Sequence, residues 1–448
     1  MTEGTRPARV VLVSGKDPLE DSGGHGTYAR MWARAAVAAG YAPVVFCVSH
    51  SAGVVETPFG RLHRIPSPLR HFPDRHRVGL RSHTAGLHLG PLTRAVVRHA
   101  GSSSDDAPIL LHGFQVWAAA AVRAAASLRR RGVGAAALMT AFTTMEHEIL
   151  ARWNGLAARG VLRARIGLLW ELAALRACVS PNEGRACRGA DRILVNYESV
   201  RRLVSERWPG CAPIERVPYT TEAAFLEDGV AAPAGSEGPG AAEPPELSAL
   251  SPAGAPVVLA VSRHDARKGL GTLLRALASL RGDGVPFRAA LVGGGPLLTP
   301  HRRLARELGL DRAVAIPGYV ADTRPFWRAA AVFALPSDEE GSGSLSLLEA
   351  LQRGRAAVCT NVDGLPEDVD DGRSALLVPP RDPGALAGAL RRLLADASLR
   401  GALAAGARAR FMERFRPESV VRAVRQVYAA ARAETAPSAP FAARAIRA

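Results

Sequence analysis

Residues 338–358, DEEGSGSLSLLEALQRGRAAV, hold the pattern from which the fold of this chain is best predicted. Three consecutive acidic residues precede four small residues, and an apolar helix pattern that carries Glu349 comes after them. Gly341 and Gly343 allow the backbone to come close to a ligand, because glycine has no side chain. The stretch therefore predicts a close-approach turn that leads into a helix beginning at Leu345.

A helix start of this kind suits a phosphate group. Either Ser342 or Ser344 is predicted to cap the helix, whose first turn presents free N–H groups and the positive end of the helix dipole. Glu349 follows about one turn later and is placed to accept hydrogen bonds from sugar hydroxyls. The alternative is an ordinary capped helix with a surface glutamate, and this stretch alone does not separate the two.

The composition indicates two domains that fold by burial and favour acidic partners. The chain has 448 residues, 48% of them apolar, which accommodates two domains of ordinary size. Its formal charge of +16 is spread along nearly every predicted helix, yet it favours phosphorylated ligands, anionic lipid surfaces or nucleic acid. The sequence has no helix-turn-helix, zinc-finger or aromatic-basic sheet motif, so we expect no nucleic-acid partner.

Cysteine usage and hydropathy predict a cytoplasmic protein. Five cysteines without CxxC spacing argue against a disulfide framework, and the N-terminal residues lead into a strand pattern without a signal peptide. The most apolar window, Ile109–Val122, is interrupted by His112 and Gln115 and is too short to span a bilayer. The basic charge leaves peripheral contact with an acidic membrane surface, on the inner face, as a further option.

The first half opens with a strand, a glycine-rich loop, a helix and a second strand. Arg9–Ser14 and Ala42–Val48 are short apolar runs, and Thr27–Ala39 has helical spacing. The loop contains Gly23 and Gly24 but lacks GxGxxG spacing, so it does not predict a dinucleotide site. This order predicts a parallel sheet with ligands at the carboxyl ends of its strands.

Two histidines follow predicted strands of this first sheet. Pro108–Leu111 leads to His112, and Ala135–Thr140 leads to a polar segment that contains His147. Both imidazoles are expected at the carboxyl edge of the sheet, where α/β proteins keep their chemistry. For either histidine alone, a structural or solvent-exposed role remains the alternative.

A change of composition divides the chain. Between Leu226 and Pro256 the sequence turns to Gly, Pro, Ala, Ser and Glu without periodicity, as in a flexible linker. We predict a first α/β domain over 1–228, a linker over 229–255, a second α/β domain over 256–415, a helix over 416–433 that packs back on the first domain, and a loose tail over 434–448.

The second half combines cations, glycines and carboxylates after successive strands. Arg263 and Lys268 follow the apolar run Pro256–Val261, and a triglycine follows Arg288–Val292. An arginine fork and a lysine point charge suit a diphosphate, whereas nearby carboxylates would repel it unless they face hydroxyls. This division of roles predicts a nucleotide sugar as ligand.

The motifs of the second half resemble those of a known family. In order they are VSRHDARKGLGTLLRAL (261–277), LVGGGPL (291–297), IPGYVAD (316–322), FALPSDEEGSGSLSLLEAL (333–351) and DGLPEDVDDGRSALLVPPRDPGAL (363–386). The chain resembles the retaining glycosyltransferases of family 4, also called glycosyl transferases group 1. The resemblance implies an α/β fold of the GT-B type, in which two Rossmann-like domains with parallel sheets face each other across a cleft.

The resemblance also implies a reaction and its catalytic residues. A hexosyl group would pass from a UDP-, GDP- or ADP-sugar to a hydroxyl acceptor, with retention and without a metal ion or other cofactor. Arg263 and Lys268 would stabilise the departing diphosphate in place of the metal. Glu340 would face the transferred sugar, Glu349 would bind the ribose, and His147 would lie near the sugar.

Further residues carried over from the family would bind the nucleotide sugar through backbone groups or close approach. They are Gly23, Gly24, Gly294, Tyr319, Val320, Gly341, Gly343, Ser344 and Leu345.

The chain departs from the family pattern at the two glutamates. The family places seven residues between them, whereas eight separate Glu340 from Glu349, so that Gly341 falls at the first glutamate's place. Either a loop longer by one residue lets Glu340 or Glu339 reach the sugar, or the sugar is held differently. Two alternatives stay open. One is an epimerase or hydrolase on the same scaffold, and the other is a non-catalytic relative that binds nucleotide sugars, which the glutamate departure and the basic charge motivate.

Overall fold

The structure, a computed structural model, describes residues 9–20, 24–68, 85–101, 107–147, 150, 169, 172–173, 175–226 and 243–435. Within these residues the strands form two sheets. The strands of the first sheet are β1 Arg9–Ser14, β2 Ala42–Ser49, β3 Gly53–Thr57, β4 Gly60–Pro66, β5 Ile109–Phe114, β6 Ala135–Ala141, β7 Arg192–Val195 and β8 Ile214–Arg216. Those of the second are β9 Val257–Val261, β10 Arg288–Val292, β11 Val314–Gly318, β12 Ala330–Leu335, β13 Ala356–Thr360 and β14 Leu376–Val378.

Helices connect the strands of both sheets. In and after the first sheet they are α1 Gly24–Ala38, α2 Ala85–Gly101, α3 Ala118–Arg129, α4 Ser180–Gly189, α5 Glu198–Arg207 and α6 Ala223–Leu226. Around the second sheet and at the end of the chain they are α7 Pro245–Ser248, α8 Leu270–Gly282, α9 Leu298–Glu307, α10 Arg324–Ala329, α11 Leu345–Gln352, α12 Leu365–Asp368, α13 Pro383–Ala395, α14 Ala397–Arg414 and α15 Pro417–Thr435.

The first sheet has the order β3-β4-β2-β1-β5-β6-β7-β8. Its neighbouring strands are parallel except in the β3–β4 pair, which is an antiparallel hairpin at one edge. The central strands β1, β5 and β6 are largely apolar and are buried on both faces, as helix-covered parallel sheets require.

The second sheet is parallel throughout its described strands, in the order β11-β10-β9-β12-β13-β14. Strand order therefore reverses between β9 and β12, which lie side by side. In open α/β sheets such a switch point opens a crevice at the carboxyl ends of the two strands, and ligands bind there. The topology thus brings together the loops after β9 and β12, which contain Arg263, Lys268 and the 338–344 segment.

The last helix returns to the first domain. α15 buries Val424 and Tyr428 against α1 and the strands β5 and β6. The Tyr428 hydroxyl accepts a hydrogen bond from Trp32 Nε1 at 2.7 Å and lies 2.9 Å from His112 Nδ1. Glu434 and Thr435 belong to this helix, which corrects the prediction that the loose tail begins at residue 434.

His112 is not at the sheet edge, and the prediction that it follows a strand was wrong. The strand continues through Gly113 and Phe114, which leaves the imidazole fully buried between Tyr428 and the Thr140 hydroxyl, 2.7 Å from Nε2. Burial lowers the pKa of His112 to about 3, because the charged form has lost its hydration. The residue is therefore a neutral part of the core.

The depressed pKa of His112 predicts a loss of stability in mild acid. Below its ordinary pKa of 6.5, an unfolded chain protonates this histidine whereas the folded chain does not, so stability is complete above pH 6.5 and falls as pH decreases toward 3. We expect the free energy of unfolding to drop by about 2 kcal/mol between pH 7.5 and pH 5 from this group. Urea unfolding of wild type and of His112→Gln measures the effect. An identical pH dependence in both proteins would contradict it.

The segment predicted as a linker is partly structured. Residues 227–242 lie outside the described residues, but residues 243–255 include the short helix α7 and pack on the second sheet. Leu247 is fully buried, and Arg288 joins the segment through Glu243 at 2.8 Å and through the Leu247 carbonyl at 3.2 Å. The second domain therefore begins about a dozen residues earlier than composition indicated. In the described part of the chain, no helix combines the length and apolarity that crossing a membrane requires.

Candidate active site

Close backbone packing brings the β9 and β12 loops together. Gly269, at φ +59°, lies so near the end of β12 that a Cβ there would be 1.8 Å from the Pro336 carbonyl oxygen. The Asp338 amide donates to the Arg267 carbonyl at 2.7 Å, which joins the same two loops. A left-handed backbone with no space for a side chain requires glycine. Gly269 thus sets the distance between the cationic loop and the glutamate loop.

The triglycine after β10 packs against the same cationic loop. The His264 amide donates to the Gly294 carbonyl at 2.8 Å, and Gly293, at φ +143°, leaves no room for a Cβ beside the Ser262 carbonyl. A Cβ on Gly294 would lie 3.5 Å from the Cβ of Tyr319, a side chain that is 65% exposed. These contacts place Gly294 and Tyr319 at one edge of the crevice.

Lys268 and Glu340 form an ion pair at the switch point. Lys268 Nζ lies 2.5 Å from Glu340 Oε2, and the Ser337 hydroxyl donates to Glu340 Oε1 at 2.5 Å. The Glu340 side chain is only 3% exposed and that of Lys268 is 19% exposed, so the charges are largely withdrawn from water. Arg263 lies on the same loop and is exposed. Of the two glutamates considered for the sugar site, Glu339 and Glu340, it is therefore Glu340 that pairs with Lys268.

The start of α11 keeps its amide groups free of side-chain capping. Ser344 is the N-terminal flanking residue, but its hydroxyl bonds the Ser346 hydroxyl at 2.9 Å and does not cap the helix. The expectation that a serine side chain caps this helix was wrong. Leu345 is the first helical residue, and Glu349 lies in the next turn, half-buried. An uncapped helix start retains N–H groups for an anion.

Loops of the first domain face this site. A Cβ on Gly24 would lie 4.0 Å from Leu345 Cδ1, and a Cβ on Gly341, whose φ is +78°, would lie 3.1 Å from the Thr143 hydroxyl oxygen. His147 Nε2 lies 3.9 Å from Asp363 Oδ1 of the second domain. Gly23 was also predicted to approach the ligand, but it lies outside the described residues. Val320 is half-buried on the loop after β11.

A buried tyrosine cluster joins the domains beneath the glycine loop. A Cβ on Gly343 would lie 1.6 Å from the Tyr197 hydroxyl, which bonds both the Tyr219 hydroxyl and Asp368 Oδ2, the latter at 2.7 Å. Burial raises the pKa of the Asp368 carboxyl well above its usual value, and burial also raises the pKa of Tyr219. Glu367 accepts the first amides of α5, from Glu198 and Ser199, at 3.0 Å each. Specific polar contacts therefore join the two domains at this interface.

A cavity of about 390 Å³ lies in the first domain beside the cleft. Its lining includes His147, Arg176 and Arg207, and both guanidinium groups pair with the carboxylate of the buried Glu146. Desolvation by itself would raise the pKa of Glu146, but the two arginines together hold it below its usual value. His147 thus borders both this cavity and the cleft.

Sequence reading missed Asp363. Its Oδ2 accepts the amides of Glu340 at 2.6 Å and of Gly341 at 2.7 Å. The sequence signal was an aspartate directly before Gly364 at a strand exit, which favours a turn but does not reveal a partner over twenty residues away. Among the described residues, no group of three or more His, Cys, Asp and Glu side chains is arranged to hold a metal ion.

Two Rossmann-like domains that face each other across a cation- and glycine-lined cleft define a protein of the GT-B architecture. Residues 255–396 match the family model described as glycosyl transferases group 1. The match covers most of the second domain, where the motifs that resemble this family lie.

Known proteins resemble both the sequence and the fold. Lipopolysaccharide core biosynthesis glycosyltransferase LpsE of Rhizobium meliloti is 34% identical over 179 residues, which span 40% of this chain and 51% of LpsE. Sucrose-phosphate synthase from Thermosynechococcus elongatus superposes with a TM-score of 0.67 at 22% identity, over 95% of this chain and 100% of that one. HepE of Anabaena, solved with UDP and glucose, has a TM-score of 0.64 at 17% identity, over 94% and 99% of the two chains. The structural likenesses confirm the two-domain GT-B fold, while the sequence match spans about half of the curated relative.

Proposed function

We propose that this protein is a retaining, metal-independent glycosyltransferase that moves a hexosyl group from a nucleotide diphosphate sugar to a hydroxyl acceptor. The observation that carries the proposal is the Lys268–Glu340 pair, 2.5 Å apart, at the adjoining ends of β9 and β12. A cation and a carboxylate with little exposure give this crevice one group for a departing phosphate and one for sugar hydroxyls.

The second domain supplies the groups that a nucleotide sugar needs. Arg263 and Lys268 stand on one loop, and the amides at the start of α11 add partial positive charge. Together they would stabilise the charge that develops on the diphosphate as the glycosidic bond breaks. Glu349 would accept the ribose hydroxyls. The match of residues 255–396 to glycosyl transferases group 1 and the UDP and glucose bound to HepE support this assignment.

The acceptor would enter from the first domain. His147 and Thr143 face the glutamate loop across the cleft, and the cavity lined by Arg176 and Arg207 opens beside His147. An acceptor hydroxyl held there would attack the anomeric carbon on the face that the diphosphate leaves, which gives retention. Closure of the two domains around both substrates would exclude water.

The proposal is tested by following release of nucleoside diphosphate from UDP-, GDP- and ADP-sugars. We expect turnover with one nucleotide series, equal rates with and without a metal chelator, and an α-linked product from an α-linked sugar donor by NMR. An acceptor screen of sugars, inositols and glycolipids accompanies the assay. Tight nucleotide-sugar binding without turnover would favour a non-catalytic relative. Release of an epimerised sugar, or of free sugar without use of an acceptor, would favour the epimerase or hydrolase alternative.

A further inference from the structure

Asp363 has an unusual backbone for a residue that is not glycine. Its φ is +47°, in the left-handed region, and it follows β13 at the carboxyl edge of the second sheet. Aspartate tolerates this region better than most residues because its short side chain bonds nearby polar groups. Here the bonded groups lie on a different loop, so local turn formation does not account for them.

The Asp363 carboxylate holds two consecutive amides of the glutamate loop. Its Oδ2 accepts from Glu340 N at 2.6 Å and from Gly341 N at 2.7 Å. Hydrogen bonds from N–H groups to a carboxylate are about twice as strong as neutral ones. Gly341 adopts φ +78°, in the left-handed region. The carboxylate therefore fixes the main chain where the Glu340 side chain begins.

The Glu340 side chain is held by a second set of contacts, separate from those of its main chain. Lys268 Nζ lies 2.5 Å from Glu340 Oε2, and the Ser337 hydroxyl donates to Glu340 Oε1 at 2.5 Å. Main chain and side chain are thus anchored separately, the first by Asp363 and the second by Lys268 and Ser337. The other Asp363 oxygen is 3.9 Å from His147 Nε2, which places Asp363 at the cleft between the domains.

We propose that Asp363 is a positioning residue that holds the Glu340–Gly341 main chain in the shape required for the transferred sugar. This inference rests on the proposed function. Asp363 does not contact the nucleotide-binding cations, so its removal should spare nucleotide affinity while impairing transfer.

The test compares Asp363→Gly, Asp363→Asn and wild type. Asp363→Gly removes both hydrogen bonds and suits a positive φ, so the backbone itself is not strained. We expect kcat to fall by about tenfold to a hundredfold, since misplacement by about 1 Å can cost a hundredfold. The dissociation constant of the nucleoside diphosphate should change by less than about threefold. Asp363→Asn keeps a neutral hydrogen-bond acceptor, so its kcat should lie between those of wild type and Asp363→Gly. Asp396→Asn, which alters a carboxylate that caps α14 through Leu399 N at 2.9 Å, is the matched control and should behave as wild type.

Hydrogen exchange supplies a readout that does not depend on activity. In wild type the amides of Glu340 and Gly341 should exchange slowly, and in Asp363→Gly at least about tenfold faster, by mass spectrometry of a peptide covering 337–345. Unchanged exchange together with unchanged kcat would overturn the inference. Equal losses of kcat and nucleotide affinity would also overturn it, since they indicate general collapse of the site. If wild type turned over no nucleotide sugar, the proposed function would fail, and the exchange data alone would decide the role of Asp363.

Discussion

Replacing Lys268 by alanine is expected to lower kcat by about a hundredfold to a thousandfold. Electrostatic groups aimed at developing charge commonly contribute this much, and Lys268 has the partly enclosed environment in which such groups are strongest. Arg263 is exposed, and Arg263→Ala should cost less, about tenfold. Because both cations are assigned to the same diphosphate, the effects should appear in kcat and in nucleotide affinity. Initial rates and calorimetric titration with the nucleoside diphosphate measure them.

Arg275→Ala is the matched control for this prediction. Arg275 lies on α8, shortly after Lys268, and bonds only its own helix through the Gly271 carbonyl at 3.1 Å among the contacts described. The variant removes one positive charge from the same region without touching the crevice, so its kcat should stay within about twofold of wild type. Wild-type turnover in an Arg263→Ala, Lys268→Ala double variant would refute the proposed role of both cations.

The Lys268 variant also separates stability from catalysis. Without Lys268 the Glu340 carboxylate is left buried with the Ser337 hydroxyl as its remaining described side-chain partner, and breaking a buried pair in this way costs about 3 kcal/mol. Adding Glu340→Gln removes the orphaned charge and should restore the melting temperature. Turnover should stay low, because neither the cation nor the carboxylate is restored. Recovery of turnover together with stability would mean that Lys268 acts only by neutralising Glu340.

The sequence predicted strands of the second domain well where they are unbroken apolar runs. The run Arg288–Val292 has the bounds of the observed strand, and the run Pro256–Val261 matches its strand within one residue. The loops that carry Lys268 and Glu340 were expected at one edge of the sheet, because the carboxyl ends of parallel strands meet at the same edge. The two side chains pair there. Periodicity fails where a polar residue sits inside such a run, as at His112, whose burial depends on Tyr428 from the end of the chain.

Contacts between distant segments explain the remaining errors. The linker prediction read Gly and Pro content correctly but missed that Leu247 finds a buried place on the second sheet. Asp363 could not be predicted as a site residue, because only the fold brings its carboxylate to the amides of Glu340 and Gly341. Gly269 lies in a motif that resembles the family, but the sequence does not show why glycine is needed there. The reason is a left-handed backbone packed against the Pro336 carbonyl.

Gly269→Ala is expected to destabilise the protein by about 3 kcal/mol and to reduce kcat by about a hundredfold. A Cβ at this position would lie 1.8 Å from the Pro336 carbonyl oxygen, and the backbone φ of +59° is itself unfavourable for alanine. Relief of the clash must move the β9 loop away from β12. That movement separates Lys268 from Glu340, so stability and activity fall together.

Gly284→Ala isolates the contribution of the clash. Gly284 has a similar φ of +72° in the same domain, but a Cβ there meets nothing within 4 Å. Its replacement should therefore cost only the left-handed strain, about 1 kcal/mol, and leave kcat unchanged. Melting temperatures and initial rates of both variants distinguish the two contributions. Equal destabilisation would mean that the β9 and β12 loops tolerate separation, and the crevice would then not depend on their close approach. A larger loss in Gly269→Ala, with kcat falling alongside it, would show that the spacing between these loops is what joins the cation to the carboxylate.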